Sequence, residues 1–379
     1  MHGEPVYTVE ETMFIKRLII IVYLAGVLTS CTTGVESGTN GSFTAAVWNV
    51  QSLFDGTETG NEYAEFRAGS GWTQEKYEAR LLSAAQAIVQ MNTIPAETNS
   101  GKSDSTQSGI PDFIGLVELE NEGVMNDLLH GHLSKHGFYH AFFGNAANMS
   151  LGIGVLSRYP LIATKVHSIT VKNETIPRPI LEVHLEPMNK PLVFFICHWK
   201  SKVGGEDATE SLRQAAARII ERRVNELRQE KPGTPVIIMG DLNENHDEFF
   251  RRDRILSALL PDVPEAALKT KKHTAYDSFI ILSSEKPPVT KHFDPAYPVF
   301  YTPWGNELTD GTYYFRDNWE TIDHILLSAE LFDEEGWLYD TCKVLNFPPF
   351  TNSKGLPNAY NPRTGIGLSD HLPLMLLLK

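Results

Sequence analysis

Several polar side chains stand beside the ends of apolar runs, a position in which they could do chemistry. Asn49 follows Ala45–Trp48, and His198 follows Leu192–Cys197. The full set comprises Asn49, Glu118, His198, Asp241, Asn243, Asp370 and His371. A carboxylate or imidazole next to a buried strand is costly unless it is paired or bound to a metal ion. Taken singly, a capping aspartate or a satisfied core histidine is the commoner explanation, so function depends on whether these residues meet.

The strands that must position these residues are predicted from short apolar runs. They are expected at Phe43–Val50, Asp112–Leu119, Ile153–Leu156, Ile180–Leu185, Leu192–His198, Pro235–Met239, Thr321–Leu327 and Leu372–Leu378. Functional groups of α/β proteins collect where strands end at one edge of a sheet, so we expect one shared site. Because the chemical residues run from Asn49 to His371, residues 43–379 are predicted to form one domain.

Helical spacing predicts three helices around these strands. Thr73 is expected to cap the first helix, and the second covers Val124–Leu133. The third covers Thr209–Gln229, and its predicted inner face consists of Leu212, Ala216, Ile219, Val224 and Leu227.

Six segments resemble the motifs of the endonuclease/exonuclease/phosphatase superfamily and occur in that family's order, from about residue 43 to the end of the chain. They are Trp48–Phe54, Gly115–Asn121, Cys197–Lys202, Met239–Asn243, Thr321–Ile325 and Leu368–Leu372. Members of this superfamily cleave phosphodiesters or phosphomonoesters. The resemblance implies an α/β (α+β) fold, a four-layer sandwich in which two packed, mainly antiparallel β-sheets are flanked by helices.

The resemblance also implies roles for individual residues. The implied metal ligands are Asn49, Glu118 and Asp370. Gln51 is left open, because relatives often carry an acidic residue or asparagine there. The implied catalytic residues are His198, Asp241, Asn243, Asp323 and His371. The implied contacts to the substrate phosphate are Arg178, Asn243 and His198. Which histidine is the acid and which is the base stays open.

The chemistry of phosphate esters explains these residue types. A phosphodiester is anionic and resists attack by water, so a cation must neutralise its oxygens. Oxygen ligands with few protein contacts suit Mg²⁺, with Mn²⁺ or Ca²⁺ as substitutes. Asp241 would orient the attacking water, and Asp323 would fix the ring of His371.

The amino terminus has the pattern of an export signal. Lys16 and Arg17 precede the apolar stretch Leu18–Leu28, which is too short to span a membrane comfortably. Leu28–Cys31 resembles a bacterial lipobox, which implies cleavage before Cys31 and lipid attachment to its sulfur. We expect a signal peptide at 1–30, a flexible tether at 31–42, and a lipid-anchored protein at the bacterial cell envelope, facing the periplasm or the exterior.

Bulk properties narrow the function further. A net charge of −14 argues against a tight, non-specific grip on nucleic acid, though a local basic groove is compatible with it. Three cysteines provide no disulfide framework. The leading hypothesis is a monomeric nuclease, in particular an endonuclease, acting on nucleic acid at the cell envelope. The alternatives are a phosphatase or phospholipid phosphodiesterase with the same machinery, and a surface binding protein without turnover.

Overall fold

Two mixed β-sheets form the body of the protein. In the computed structural model, the described residues are 41–91, 110–146, 149–172, 174–253, 257–262, 279–287 and 298–379. All of them belong to one compact unit, Ser37–Lys379. The predicted signal peptide, Cys31 and nearly all of the tether lie outside the described residues. Among the helices of the described ranges, none is long and apolar enough to cross a membrane.

The strands of the described residues are listed here in chain order. They are β1 (Phe43–Leu53), β2 (Phe113–Leu119), β3 (His140–Gly144), β4 (Gly152–Ser157), β5 (Ala163–Val171), β6 (Glu174–Leu185), β7 (Leu192–His198), β8 (Val236–Asp241), β9 (Leu259–Pro261), β10 (Ile280–Ser283), β11 (Val299–Tyr301), β12 (Tyr313–Phe315), β13 (Asn318–Glu320), β14 (Asp323–Leu327), β15 (Tyr339–Val344) and β16 (Leu374–Leu378). The six-stranded sheet has the order β15-β16-β1-β2-β4-β3, and the eight-stranded sheet has the order β5-β6-β7-β8-β14-β11-β10-β9. Strands β12 and β13 form a separate hairpin.

The helices are α1 (Gln74–Gln90), α2 (Glu122–Asn126), α3 (Glu206–Glu230) and α4 (Glu248–Arg251), with a π-helical stretch at Asp127–Leu133. Short 3-10 turns occur at Ala64–Phe66, Ala68–Ser70, Ser134–His136, Pro187–Asn189 and Ala329–Phe332. Helix α1 begins where predicted, since the Thr73 side chain accepts a hydrogen bond from the Lys76 amide at 3.3 Å.

Three apolar layers hold the sheets and helices together. Alternate side chains of β1 point to opposite faces. Ala46 and Trp48 pack under helix α1, while Ala45 and Val47 face the other sheet. Helix α3 covers the outer face of the second sheet. The predicted four-layer sandwich is therefore confirmed.

The two sheets approach each other closely at Gly115. A Cβ atom there would lie 3.0 Å from Cγ2 of Ile196 in the opposite sheet. Gly240 is still more constrained, because its φ is 141° and a Cβ would lie 1.9 Å from the Cys197 carbonyl oxygen. Any side chain at Gly240 would push apart β7 and β8, the strands that carry His198 and Asp241.

One helix prediction was incomplete and one was wrong. On α3, Ala216, Val224 and Leu227 are buried as predicted, and Leu212 and Ile219 pack against the same core while partly exposed. The buried face also includes Arg213, which turns inward to an ion pair with Glu244, at 2.7 Å. The predicted helix at Val124–Leu133 is not one α-helix, since it passes into the π-helical stretch after five residues.

Strand pairing brings the ends of both sheets to one edge. Strands β7 and β8 are parallel, which sets His198 beside Asp241. Strand β14 is antiparallel to β8 and begins with Asp323 opposite Asp241. In the other sheet, parallel pairing of β1 and β2 sets Asn49 beside Val117, directly before Glu118.

Candidate active site

The backbone is strained where the strands end in the site. Glu118 and Asn243 have φ values of 70° and 54°. Gln51 and Ser52, at 52° and 59°, form an irregularity where the β1–β2 register shifts. Non-glycine residues rarely adopt this left-handed conformation, and it persists only where surrounding contacts enforce it.

The Glu118 carboxylate accepts hydrogen bonds from two residues of β1, one of which also reaches the other sheet. The Asn49 amide nitrogen donates to Glu118 Oε1 at 3.2 Å and to Asp241 Oδ2 at 3.1 Å. The Ser52 hydroxyl donates to Glu118 Oε2 at 2.9 Å. The backbone amide of Gln51 donates to the Asn49 side-chain oxygen at 2.9 Å, which fixes the orientation of that amide group.

Asp241 is buried at the end of β8, and its second oxygen, Oδ1, accepts the Asn243 backbone N–H at 3.0 Å. Burial and the nearby carboxylates of Asp323 and Glu118 raise the pKa of Asp241 to about 7. A carboxylate with a pKa near neutrality is suited to accept a proton from water. The Asn243 side chain donates to the Trp199 carbonyl at 3.1 Å.

His371 and Asp323 form a close ion pair. The His371 Nδ1 atom lies 2.7 Å from Asp323 Oδ2, which also accepts the Thr312 hydroxyl at 2.6 Å. Burial alone would lower the pKa of His371, but Asp323, Asp370 and Asp241 together raise it well above its usual range. His371 is therefore an imidazolium whose remaining N–H, on Nε2, is free for another partner.

His198, unlike His371, is neutral. The Arg178 guanidinium lies 2.9 Å from His198 Nδ1 and can only donate to it. Burial, together with the Arg178 cation, holds the pKa of His198 well below its usual range. The neutral ring must then carry its proton on Nε2, which lies 3.5 Å from Glu118 Oε1 and 3.7 Å from Asp241 Oδ2.

These groups line one open cleft of about 660 Å³. The residues from the predicted site that line it are Glu118, Arg178, His198, Asp241, Asn243, Asp370 and His371. Asp370 Oδ1 lies 4.0 Å from His371 Nε2, and burial and Glu118 raise the pKa of Asp370. The fold thus brings the residues predicted from the sequence together. Asn49 and Asp323 lie directly behind the lining, where Asn49 hydrogen-bonds Glu118 and Asp241 and Asp323 hydrogen-bonds His371.

The donor set fits a divalent cation. The carboxylates of Glu118, Asp241 and Asp370 line the cleft, with Asp323 directly behind them. The pKa values of Asp241 and Asp370 are raised partly by their neighbours' charge. A cation among them would remove this repulsion. The tightest potential ligand group is Asp241, Asp323 and His371, whose atoms lie within 4.8 Å of one another. Since His371 and Asp323 already hydrogen-bond each other, Glu118 and Asp370 are the freer ligands.

Some other residues considered from the sequence have different partners. The Gln51 side chain hydrogen-bonds the backbone of Tyr360 in both directions, at 3.1 and 2.7 Å, and is not free to bind a metal. Glu120 accepts the Asp55 amide, and Asn121 caps α2, so neither braces His198. His324 is fully buried and contacts the Glu244 carbonyl at 2.8 Å. The two cysteines in the described ranges, Cys197 and Cys342, are buried and free.

Sequence reasoning missed the supports behind the site. Ser52 and Thr312 carry no motif signal, since a single hydroxyl is common everywhere in a chain. Arg80 did leave a signal, because it falls on the same helical face as Tyr77 and Leu81, where only apolar residues are expected.

Known proteins resemble this chain in sequence family and in fold. Residues 44–279 match the model of the Endonuclease/Exonuclease/phosphatase family. No curated protein matches the sequence. Truncated TDP2 from Caenorhabditis elegans is 13% identical with a TM-score of 0.50, over 89% of this chain and 97% of that one. A Bacteroides thetaiotaomicron mannosyl-6-phosphatase is 14% identical with a TM-score of 0.47, over 89% and 99%. At 13% identity, the similarity to TDP2 shows the fold alone.

Arg80 is the group that holds the strained end of β1. Its guanidinium donates to the carbonyls of Ser52 at 2.8 Å, of Val50 at 2.9 Å and of Gln51, and it lies 3.9 Å from the Tyr360 ring centroid. Burial lowers its pKa to about 10, so the group stays charged at neutral pH.

We predict that Arg80→Lys weakens divalent-metal binding roughly tenfold, because an ammonium cannot hold three carbonyls in the same plane. Calorimetric titration with Mn²⁺, alongside thermal unfolding, measures both effects. Arg223→Lys, which disturbs a buried ion pair with Glu182 on the outer face, is the control for stability alone. Equal metal affinity in the wild type and Arg80→Lys would contradict the prediction.

Proposed function

The chain belongs to the endonuclease/exonuclease/phosphatase family, and we therefore propose that it hydrolyses phosphodiester bonds as a divalent-metal-dependent nuclease. The observation that carries the proposal is that groups for proton transfer, phosphate contact and cation binding line one cleft. A protein without turnover has no physical need to bury one neutral and one protonated histidine beside several carboxylates.

We propose that Glu118 and Asp370 hold the cation. The Asn49 oxygen accepts the Gln51 amide and the Asn49 nitrogen faces Glu118 and Asp241, so Asn49 would bind the ion through its oxygen only after its amide group turns over. The all-oxygen donor set favours Mg²⁺, with Mn²⁺ or Ca²⁺ as substitutes. When bound, the ion neutralises the phosphate oxygens and makes the phosphorus easier to attack.

Asp241 is proposed to accept a proton from the attacking water. Its pKa of about 7 leaves a substantial ionised fraction at neutral pH. The Asn243 backbone N–H binds Asp241 Oδ1, and the Asn49 side chain donates to Asp241 Oδ2. These two bonds fix the orientation of the Asp241 carboxylate beside the cleft. The Asn243 side chain would donate to a phosphate oxygen that gains charge in the transition state.

The two histidines are proposed to play different parts. His371, an imidazolium held by Asp323, would give its Nε2 proton to the leaving oxygen as the bond from phosphorus to that oxygen breaks. His198, held neutral with its proton on Nε2, would donate a hydrogen bond to the phosphate without giving up its proton. Arg178 both fixes that tautomer and adds positive charge to the cleft.

A location at the bacterial cell envelope is also proposed, with nucleic acid outside the cytoplasm as substrate. Its support is the sequence pattern around Cys31, the proposed lipidation site. Nucleotide scavenging from released nucleic acid would suit an enzyme tethered there.

A substrate panel with and without metal tests the function. We expect Mg²⁺- or Mn²⁺-dependent release of nucleotides from DNA or RNA, abolished by a chelator. Glu118→Gln should lower kcat/KM about 10²-fold or more, since it removes a ligand charge.

Glu120→Gln is the matched control, because Glu120 stands two residues away and contacts the Asp55 amide instead. Activity restricted to phosphomonoesters or phospholipids would replace the nuclease proposal by the corresponding hydrolase. Absence of turnover by the wild type on every phosphoester with any divalent metal would favour a binding protein, and equal activity of the wild type and Glu118→Gln would remove Glu118 from the metal site.

The pH dependence tests the assignment of His371 as the acid. Asp323→Asn keeps a hydrogen-bond acceptor but removes the charge that raises the pKa of His371. His371 then loses its proton at a lower pH, so the alkaline limb of the kcat/KM profile should move to lower pH. Asp340→Asn, which disrupts only a surface pair with Lys379, should leave the profile unchanged. An unmoved alkaline limb in Asp323→Asn would assign the acid elsewhere.

The tether is tested in cells. We expect wild-type protein to incorporate labelled palmitate and to sediment with membranes, whereas Cys31→Ser does neither. Unlabelled wild-type protein in the soluble fraction would refute the anchor without affecting the catalytic proposal.

A further inference from the structure

The hairpin formed by β12 and β13 stands at the mouth of the cleft. Its turn consists of Arg316 and Asp317, both with positive φ, at 48° and 62°. Alternation along β12 directs Tyr313 and Phe315 to one side of the hairpin. Tyr313, Phe315 and Arg316 all line the cleft.

Three rings form a stack that leads from the site to solvent. The Tyr313 ring lies 4.6 Å from the His371 ring at an interplanar angle of 26°. Phe315 continues the stack, 6.0 Å from Tyr313 at 17°. Tyr313 is partly buried between them, but Phe315 is 47% exposed. The outermost ring of the stack therefore has open surface next to the reacting groups.

Arg316 adds a positive charge to the same tip. Its guanidinium carbon lies 5.0 Å from the Phe315 ring centroid. Among the described residues, Arg316 has no ion-pair partner within 4.0 Å. Lys202, which also lines the cleft, is instead paired with Glu248 at 2.8 Å and Glu206 at 3.3 Å. In a chain with a net charge of −14, an unpaired cation beside an exposed ring points to a planar, anionic ligand.

We propose that Phe315 and Arg316 form a subsite for one unpaired nucleotide, whose base stacks on the Phe315 ring and whose phosphate contacts Arg316. The subsite rests on the proposed phosphodiester hydrolysis and names its substrate as single-stranded nucleic acid. Bases in a duplex have both faces covered by their neighbours, whereas an unpaired base offers a face for stacking.

The surroundings favour a base over an acyl chain. Among the described residues that line the cleft, the large apolar side chains that are exposed are Phe315 and Val203. One ring and one valine provide the area of a nucleobase and are too small to cover a lipid tail. Apart from Tyr313 and Ile322, which are partly buried and buried, respectively, the remaining lining is polar or charged, which suits a sugar-phosphate chain.

Calorimetry on the full chain tests the subsite. The ligands are a short single-stranded oligonucleotide, the same sequence as a duplex, and an abasic oligonucleotide with the same phosphates and no bases. Titrations use Mg²⁺ and an Asp241→Asn background to prevent turnover. We expect Phe315→Ala to weaken binding of the single strand about tenfold and to leave binding of the abasic strand unchanged.

Tyr139→Ala is the matched control, since Tyr139 is an aromatic residue with 58% exposure and does not line the cleft. Arg316→Ala should weaken both the base-bearing and the abasic strand and should reduce the salt dependence of binding.

The outcomes separate the subsite from the hydrolase function. If the wild type cleaves base-bearing and abasic strands equally well, or binds duplex more tightly than single strand, the subsite is refuted and the hydrolase stands. If base-dependent binding through Phe315 occurs but no nucleic acid is cleaved with any divalent metal, the subsite stands and the proposed function fails. A Phe315→Ala defect confined to phospholipid vesicles would also refute the subsite.

Discussion

Hydrogen bonds between the two sheets hold the site together at their shared edge. His371, from the six-stranded sheet side, pairs with Asp323 of the eight-stranded sheet at 2.7 Å. Asn49 of the first sheet reaches Asp241 of the second at 3.1 Å. Elsewhere the facing surfaces are apolar, with close packing at Gly115 and Ile196. The polar groups that would do the chemistry therefore also connect the two sheets at this edge. A substitution that breaks one of these hydrogen bonds should weaken both the contact between the sheets and the geometry of the site.

The two imidazoles illustrate how neighbours, not residue type, set chemical roles. Both rings are buried, and burial disfavours the cation in each. Asp323 overcomes that penalty for His371, whereas Arg178 reinforces it for His198. A protonated and a neutral ring in one cleft would allow one to donate a proton and the other to donate a hydrogen bond to an anion. The sequence left open which histidine is the acid, and the partner of each ring favours His371.

The sequence was sufficient for the buried central strands, because they are continuous apolar runs whose ends carry the motif residues. Partly exposed strands such as β3, β5 and β12 were not predicted, since their sequences form no continuous apolar run. It also placed Glu118, Asp241 and His371 in one site by resemblance. It did not reveal contacts that depend on three-dimensional detail. Arg213 was not predicted on the buried face of α3, because its partner Glu244 is distant in sequence. Ser52 was missed because only an unusual backbone turn aims its hydroxyl at Glu118. Such turns are enforced by remote groups like Arg80 and leave little local signature.

The β12–β13 hairpin has its base fixed and its tip free. Thr312 precedes it, Asp323 follows it closely, and the two side chains hydrogen-bond at 2.6 Å. Backbone pairing of Thr312 with Glu320 and with Leu372 clamps the base further. The turn residues Arg316 and Asp317 take no part in these hydrogen bonds at the base. Changes in the length or composition of the tip should therefore leave the anchored base, and with it Asp323 and His371, in place. Laboratory evolution of altered specificity would have its most tolerant entry point there.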